Sequence, residues 1–123
     1  MKFTVEYHNN EDYTILTKVF KGNVNRSDII QSWKEVMKSE LISKTHRGVI
    51  SDMREANLYH EKTNTEKLHN FFSKNIDFFK NLKLAIVIDS PEVVYPMIFE
   101  TEQKMININY FCTIEAAKNW VQK

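Results

Sequence analysis

Four residues in two short stretches are of a type and spacing to do polar chemistry together. The run Gly48–Met53 is largely apolar, contains Asp52 near its end and is followed by Arg54. The run Leu82–Ile88 is more apolar still and is followed by Asp89 and Ser90. If both runs are parallel strands, their carboxyl ends share one rim of a sheet, the usual ligand side of open α/β proteins. A helix opening at Ser90-Pro91, with serine as cap and proline in the first turn, would add free N–H groups suited to an anion. Asp52, Arg54, Asp89 and Ser90 would then form a small polar rim site. The competing reading is structural: Asp52 pairs with Arg54 or holds the loop, and Asp89 is a turn residue.

Between these strands, Arg54 to His60 reads as an exposed loop, and a helix opens at Thr63 or Asn64. Thr63 and Glu66 have the spacing of a capping box. A phosphoryl group on Thr63 or Thr65 would face the positive end of that helix, which makes both candidate phosphoacceptors. Simple capping accounts for the threonines equally well. In the following helix, Val94, Met97, Ile98 and Met105 make a core stripe and leave Tyr95 and Phe99 on a second face. Those two aromatics read as a contact surface for a partner. With Phe72 they alternatively line a site for a small apolar ligand between helices and sheet. A wide core face, or a phase shift at Pro96, is the competing explanation.

Other chemistry is sparse. His8, His46, His60 and His69 lack metal-ligand spacing and read as surface or loop residues, so no metal and no cofactor is expected. Cys112, the only cysteine, follows a strand and reads as a buried, inert thiol. No nucleophile elbow, Walker loop or dinucleotide fingerprint occurs, and no residue is assigned a catalytic role.

The elements that must position these groups follow from periodicity. "KFTVEY" alternates, with Phe3, Val5 and Tyr7 on one face. "YTILTKVF" follows across a hairpin turn at His8–Asp12. Asn25 caps a helix carrying Ile29, Trp33, Val36 and Met37, with Asp28 near its positive end. Leu68, Phe71, Phe72, Ile76 and Phe79 form the stripe of a second helix. "LKLAIVID" is apolar on both faces, as an inner strand of a covered sheet should be. Ile106, Ile108 and Tyr110 alternate with Asn107 and Asn109, which suits an edge strand. Thr113 caps a last helix with Ala116, Ala117, Trp120 and Val121. The order β-β-α-β-α-β-α-β-α implies an α/β fold with a mainly parallel sheet, strands wound sequentially and helices packed on it.

The 123 residues fit one domain, 1–123, and 42% hydrophobic residues against 27% charged is a globular composition. A net charge of +1 argues against partners bound by charge alone, so no nucleic acid is expected. No apolar run is long enough to insert into a membrane, "MKFTVEYHNN" is not a signal peptide, and a single cysteine suits a reducing compartment. A cytoplasmic location is expected.

The stretches "GVISDMREANL", "LKLAIVIDSPE" and "FCTIEAAKNWV" resemble the SpoIIAA-like group of STAS domains, in element order over nearly the whole chain. The resemblance implies a small stand-alone bacterial α/β domain with a non-enzymatic, regulatory role in protein–protein interaction. In anti-sigma-factor antagonists of that group, a serine in an Asp-Ser-Ser/Thr-Gly motif before the second helix is phosphorylated. By position the site falls at Thr63, Asn64 and Thr65, where this chain reads "EKTNTEK", without the Asp-Ser pair or the glycine. A regulatory module that docks onto a protein partner or itself, as a homodimer, is therefore expected. A binder of a small apolar, lipid-like ligand is the alternative.

Overall fold

A computed structural model describes residues 3–58, 67–89 and 106–123. Strands β1 (Phe3–Asn9) and β2 (Ile15–Val24) form an antiparallel hairpin. β3 (Gly48–Leu58), β4 (Lys83–Val87) and β5 (Asn107–Phe111) add to it in parallel, in spatial order β1-β2-β3-β4-β5. This is the sequentially wound α/β sheet that the alternation of elements predicts. The hairpin turn is closed by Asn10, whose side-chain oxygen accepts from the backbone N–H groups of Thr14 (2.9 Å) and Ile15 (3.0 Å).

Helix α1 (Arg26–Lys38) opens on a complete capping box. Asn25 Oδ1 accepts from the Asp28 N–H at 2.9 Å, and the Asp28 carboxylate accepts from the Asn25 N–H at 3.1 Å. The second helical stripe is divided into α2 (Lys67–Lys74) and the short α3 (Ile76–Phe79). The division falls at Asn75, whose side-chain amide donates to the Phe71 carbonyl at 2.8 Å in competition with the helix ladder. Helix α4 (Ile114–Gln122) is capped by Thr113, which accepts from the Ala116 N–H at 3.1 Å.

The sheet is covered on both faces. Trp33 and Val36 of α1, Leu68 and Phe72 of α2 and Phe79 of α3 pack over Leu16, Phe20, Val49, Leu84 and Ile86. On the opposite face, Ala117 and Val121 of α4 pack over Ile15, Ile50, Ala85 and Val87. β4 therefore contributes to both layers, as an inner strand flanked by β3 and β5. Its neighbour β5 is an edge strand among the described residues, with Asn107 and Asn109 exposed.

Several expectations are corrected. Arg54–Leu58 is strand, not loop. β2 is long enough that Lys21–Val24 remain opposite Glu55–Leu58 after a register shift at Phe20, so the ladder continues past the end of β4. Cys112 is exposed, because the chain turns toward the α4 cap immediately after β5. His46 lies in the loop before β3, as one of the two readings had it, but is buried there. Its Nε2 lies 2.6 Å from Asn9 Oδ1, and its Nδ1 accepts from the Ser43 N–H at 2.9 Å. Ala116 faces solvent, while Ala117 takes the core position.

Candidate functional site

Asp52 lies on the α4 side of the sheet, bonded by Arg54, and Asp89 is near enough to act on the Arg54 charge. Asp52 pairs in register with Val19 of β2 and Val87 of β4, and Asp89 lies two residues beyond Val87. Alternation puts Ile50 and Asp52 on the same face as Ala85 and Val87 of the neighbouring strand; Arg54 falls at the register shift and Asp89 beyond the end of β4. Arg54 donates from Nε to Asp52 Oδ1 (2.9 Å) and from Nη2 to Oδ2 (2.8 Å), and its backbone N–H adds a contact to Oδ1 (3.2 Å). This is a closed, bidentate fork.

Burial works to raise the Asp52 pKa. The hydrogen bonds and charge of Arg54 outweigh it and hold the carboxyl below the usual carboxylate range. Arg54 is raised in turn, chiefly by Asp52, with smaller contributions from Asp89 and Glu55. The guanidinium fork is thus occupied by the protein's own carboxylate instead of being presented to an incoming anion. Ser90, Thr63, Thr65, Tyr95 and Phe99 lie outside the described residues, as does His60. Phe72 is buried at the centre of an aromatic cluster, 4.7 Å from Phe79 between ring centroids.

The Asp52–Arg54 pair yields a first prediction. In the variant Arg54→Ala, the side-chain hydrogen bonds and the guanidinium charge are gone and only the backbone N–H of residue 54 still opposes burial, so the Asp52 carboxyl titration should move upward. Carbon-detected NMR of the Asp52 carboxyl reads this directly, and an unchanged titration refutes the pairing. The folded-state pKa lies below the unfolded value of 3.8, so the pair stabilises above that pH and its contribution is lost as pH falls through the folded value. The stability change should stay under about 1 kcal/mol at neutral pH, because the Arg54 side chain is 41% exposed and screened by water.

The sequence reading overlooked a row of polar side chains, broken only by Ile86, on the other face of the sheet. Register places Tyr7, Lys18, Ser51, Ile86 and Tyr110 side by side across all five strands. The Tyr7 hydroxyl lies 3.2 Å from Ser32 Oγ in α1. Burial raises the Tyr7 pKa; the Ser32 hydrogen bond opposes this and the Glu35 charge adds to it. Lys18 is fully buried. Its Nζ lies 3.3 Å from the centroid of the Trp33 ring and has no hydrogen-bond partner among the described residues. Burial holds its pKa well below the ordinary lysine value. A signal was present: Lys18 alternates in phase with Leu16 and Phe20, the core-facing residues of β2.

Known proteins match this arrangement only through the fold. No family model matches the chain, and no curated protein matches it. An anti-sigma factor antagonist from Mycobacterium paratuberculosis superposes with a TM-score of 0.65 over 99% of this chain and 96% of its own, at 11% identity. An uncharacterized protein with a SpoIIAA-like fold, from Shewanella loihica, superposes with a TM-score of 0.56 over 98% of this chain and 93% of its own, at 14% identity. The chain has the SpoIIAA-like fold. At these identities the likeness establishes the SpoIIAA-like architecture and says nothing of individual site residues. No helix among the described residues is long and apolar enough to cross a membrane.

Proposed function

We propose that the chain is a single-domain, non-enzymatic regulatory module that docks onto a protein partner in the cytoplasm. The observation that carries this reading is the agreement in fold, along 99% of the chain, with an anti-sigma factor antagonist. The rim supports it, because Asp52 and Arg54 satisfy each other in a bidentate pair. The layer between α1 and the sheet also supports docking over uptake of an apolar ligand. Trp33, Phe72 and Phe79 fill it with edge-to-face rings at 4.9 and 4.7 Å.

Native mass spectrometry of protein isolated from its own host tests the proposal. A complex with a partner protein, or a homodimer, is the expected result. A monomer that binds no host protein at high concentration overturns it. A monomer that retains a lipid overturns it in favour of an apolar-ligand carrier. Stoichiometric phosphate on Thr63 or Thr65 that releases the partner would make the module a phosphoswitch.

A further inference from the structure

We infer that the groove between α1 and α2 is the docking site for an acidic, amphipathic segment of a partner protein. The inference rests on the docking-module reading and names the place and chemistry of the contact. The two helices lie side by side and leave an open cleft of 640 Å³ on their outer side. Its apolar lining comes from Ile30, Met37 and Phe71, and its rims carry Lys34, Lys67 and Lys74. Ile30 is buried, Met37 and Phe71 are half-buried, and all three lysines are exposed.

Among the described residues, no aspartate or glutamate lines the cleft. Among the described residues none of the three lysines is engaged in an ion pair. Lys67 instead donates to Ser27 Oγ across the groove at 2.9 Å. The chain as a whole is nearly neutral at +1, so this concentration of one sign is local.

The charge arrangement selects the occupant. Apolar side chains on the partner would fill the space over Met37 and Phe71, while carboxylates along its edges met the lysines. The α1 stripe from Ser27 to Met37 spans about 15 Å at the helical rise, which matches roughly three turns of a docked helix. A phosphodiester backbone would meet the lysines but leave the apolar lining unfilled. A flat lipid surface would not enter a concave cleft.

Two fluorescein-labelled helical peptides of about 15 residues test this directly. One carries leucines on one face flanked by glutamates; its twin has lysine at every glutamate. Fluorescence anisotropy should show the acidic peptide binding, weakening with added salt, while the basic twin fails to bind. The triple variant K34E/K67E/K74E should bind the acidic peptide at least about tenfold more weakly, the neutral variant K34Q/K67Q/K74Q should fall between, and circular dichroism should be unchanged in both. Failure of the acidic peptide to bind, equal binding of both peptides, or unaltered affinity in the charge-reversed variant overturns the inference. So does binding of phosphatidylglycerol vesicles in place of the peptide, or self-association that charge reversal abolishes. If the charge-reversed protein still forms its host complex in native mass spectrometry, the groove is wrong and the docking module stands. If wild type forms no complex at all, the module reading itself fails.

Discussion

Replacing Lys18 with methionine should make the protein more stable at neutral pH, by about 1–3 kcal/mol, the cost of burying a polar group that finds no hydrogen-bond partner. The amine is fully buried in the layer beneath α1 and finds no hydrogen-bond acceptor among the described residues. Trp33 offers its ring face at 3.3 Å, and Phe20 a more distant one at 5.7 Å. A cation over an indole gains about 2 kcal/mol when desolvated, whereas an unpaired buried charge costs several kcal/mol, so the neutral amine is favoured. Methionine keeps an unbranched apolar chain beneath Trp33 and removes the amine.

The pH dependence separates this account from simple repacking. The folded-state pKa of Lys18 lies well below its ordinary value of 10.5, so the unfolded chain binds the extra proton between those limits. The Lys18 contribution to wild-type stability should therefore rise with pH through that window and level off above 10.5, and this rise should be missing from the variant's profile. The advantage of Lys18→Met should shrink as pH rises. Chemical denaturation of both proteins at a series of pH values measures it. A difference that stays constant with pH, or a less stable variant, would show that the amine is charged and paired in the native state.

Most of the fold was legible because it rests on local patterns. The two-sided apolarity of Leu84–Ile88 indicated an inner strand. Asn25 with Asp28, and Thr113 before the last helix, specified their caps through side chains that reach only three residues away. Features decided by long-range register were harder to read. β3 runs on to Leu58 because β2, distant in sequence, still offers pairing partners there. His46 is buried because Asn9, at the far end of β1, comes within 2.6 Å of its ring. At the rim, the sequence indicated that Asp52 and Arg54 stand near the carboxyl end of one strand and Asp89 just past the end of its neighbour. Whether Arg54 would turn toward Asp52 or toward solvent depended on rotamers that spacing does not encode. Lys18 was missed for a different reason. A lysine in an alternating strand is ordinarily assigned to solvent, although its phase with Leu16 and Phe20 pointed inward.

Phe79→Ala should be the most damaging single substitution among the aromatic residues, costing about 3–5 kcal/mol. Phe79 is fully buried, and its ring meets four others. Trp33 lies at 4.9 Å, Phe72 at 4.7 Å, Phe78 at 5.0 Å and Phe71 at 6.0 Å, all in edge-to-face geometry. Truncation removes one partner from every pair at once and opens a void that three short helices and the sheet cannot readily close. Against a total stability of about 5–15 kcal/mol for a domain of ordinary size, that loss leaves the native state marginal. The effect should also reach the groove. Phe71 lines it directly, and α1 and α2 rest on Phe79 through Trp33 and Phe72, so the two helices that frame the cleft share this one support. Hydrogen exchange at the α2 amides should therefore accelerate more than at β2 or β3, and affinity for the acidic peptide should fall although no lysine has changed. The milder Phe79→Leu, which refills part of the volume, should recover both properties together. A denaturation midpoint close to wild type would show that the ring cluster is not what holds α2 to the sheet, and restored stability without restored peptide binding would break the link between this core and the groove.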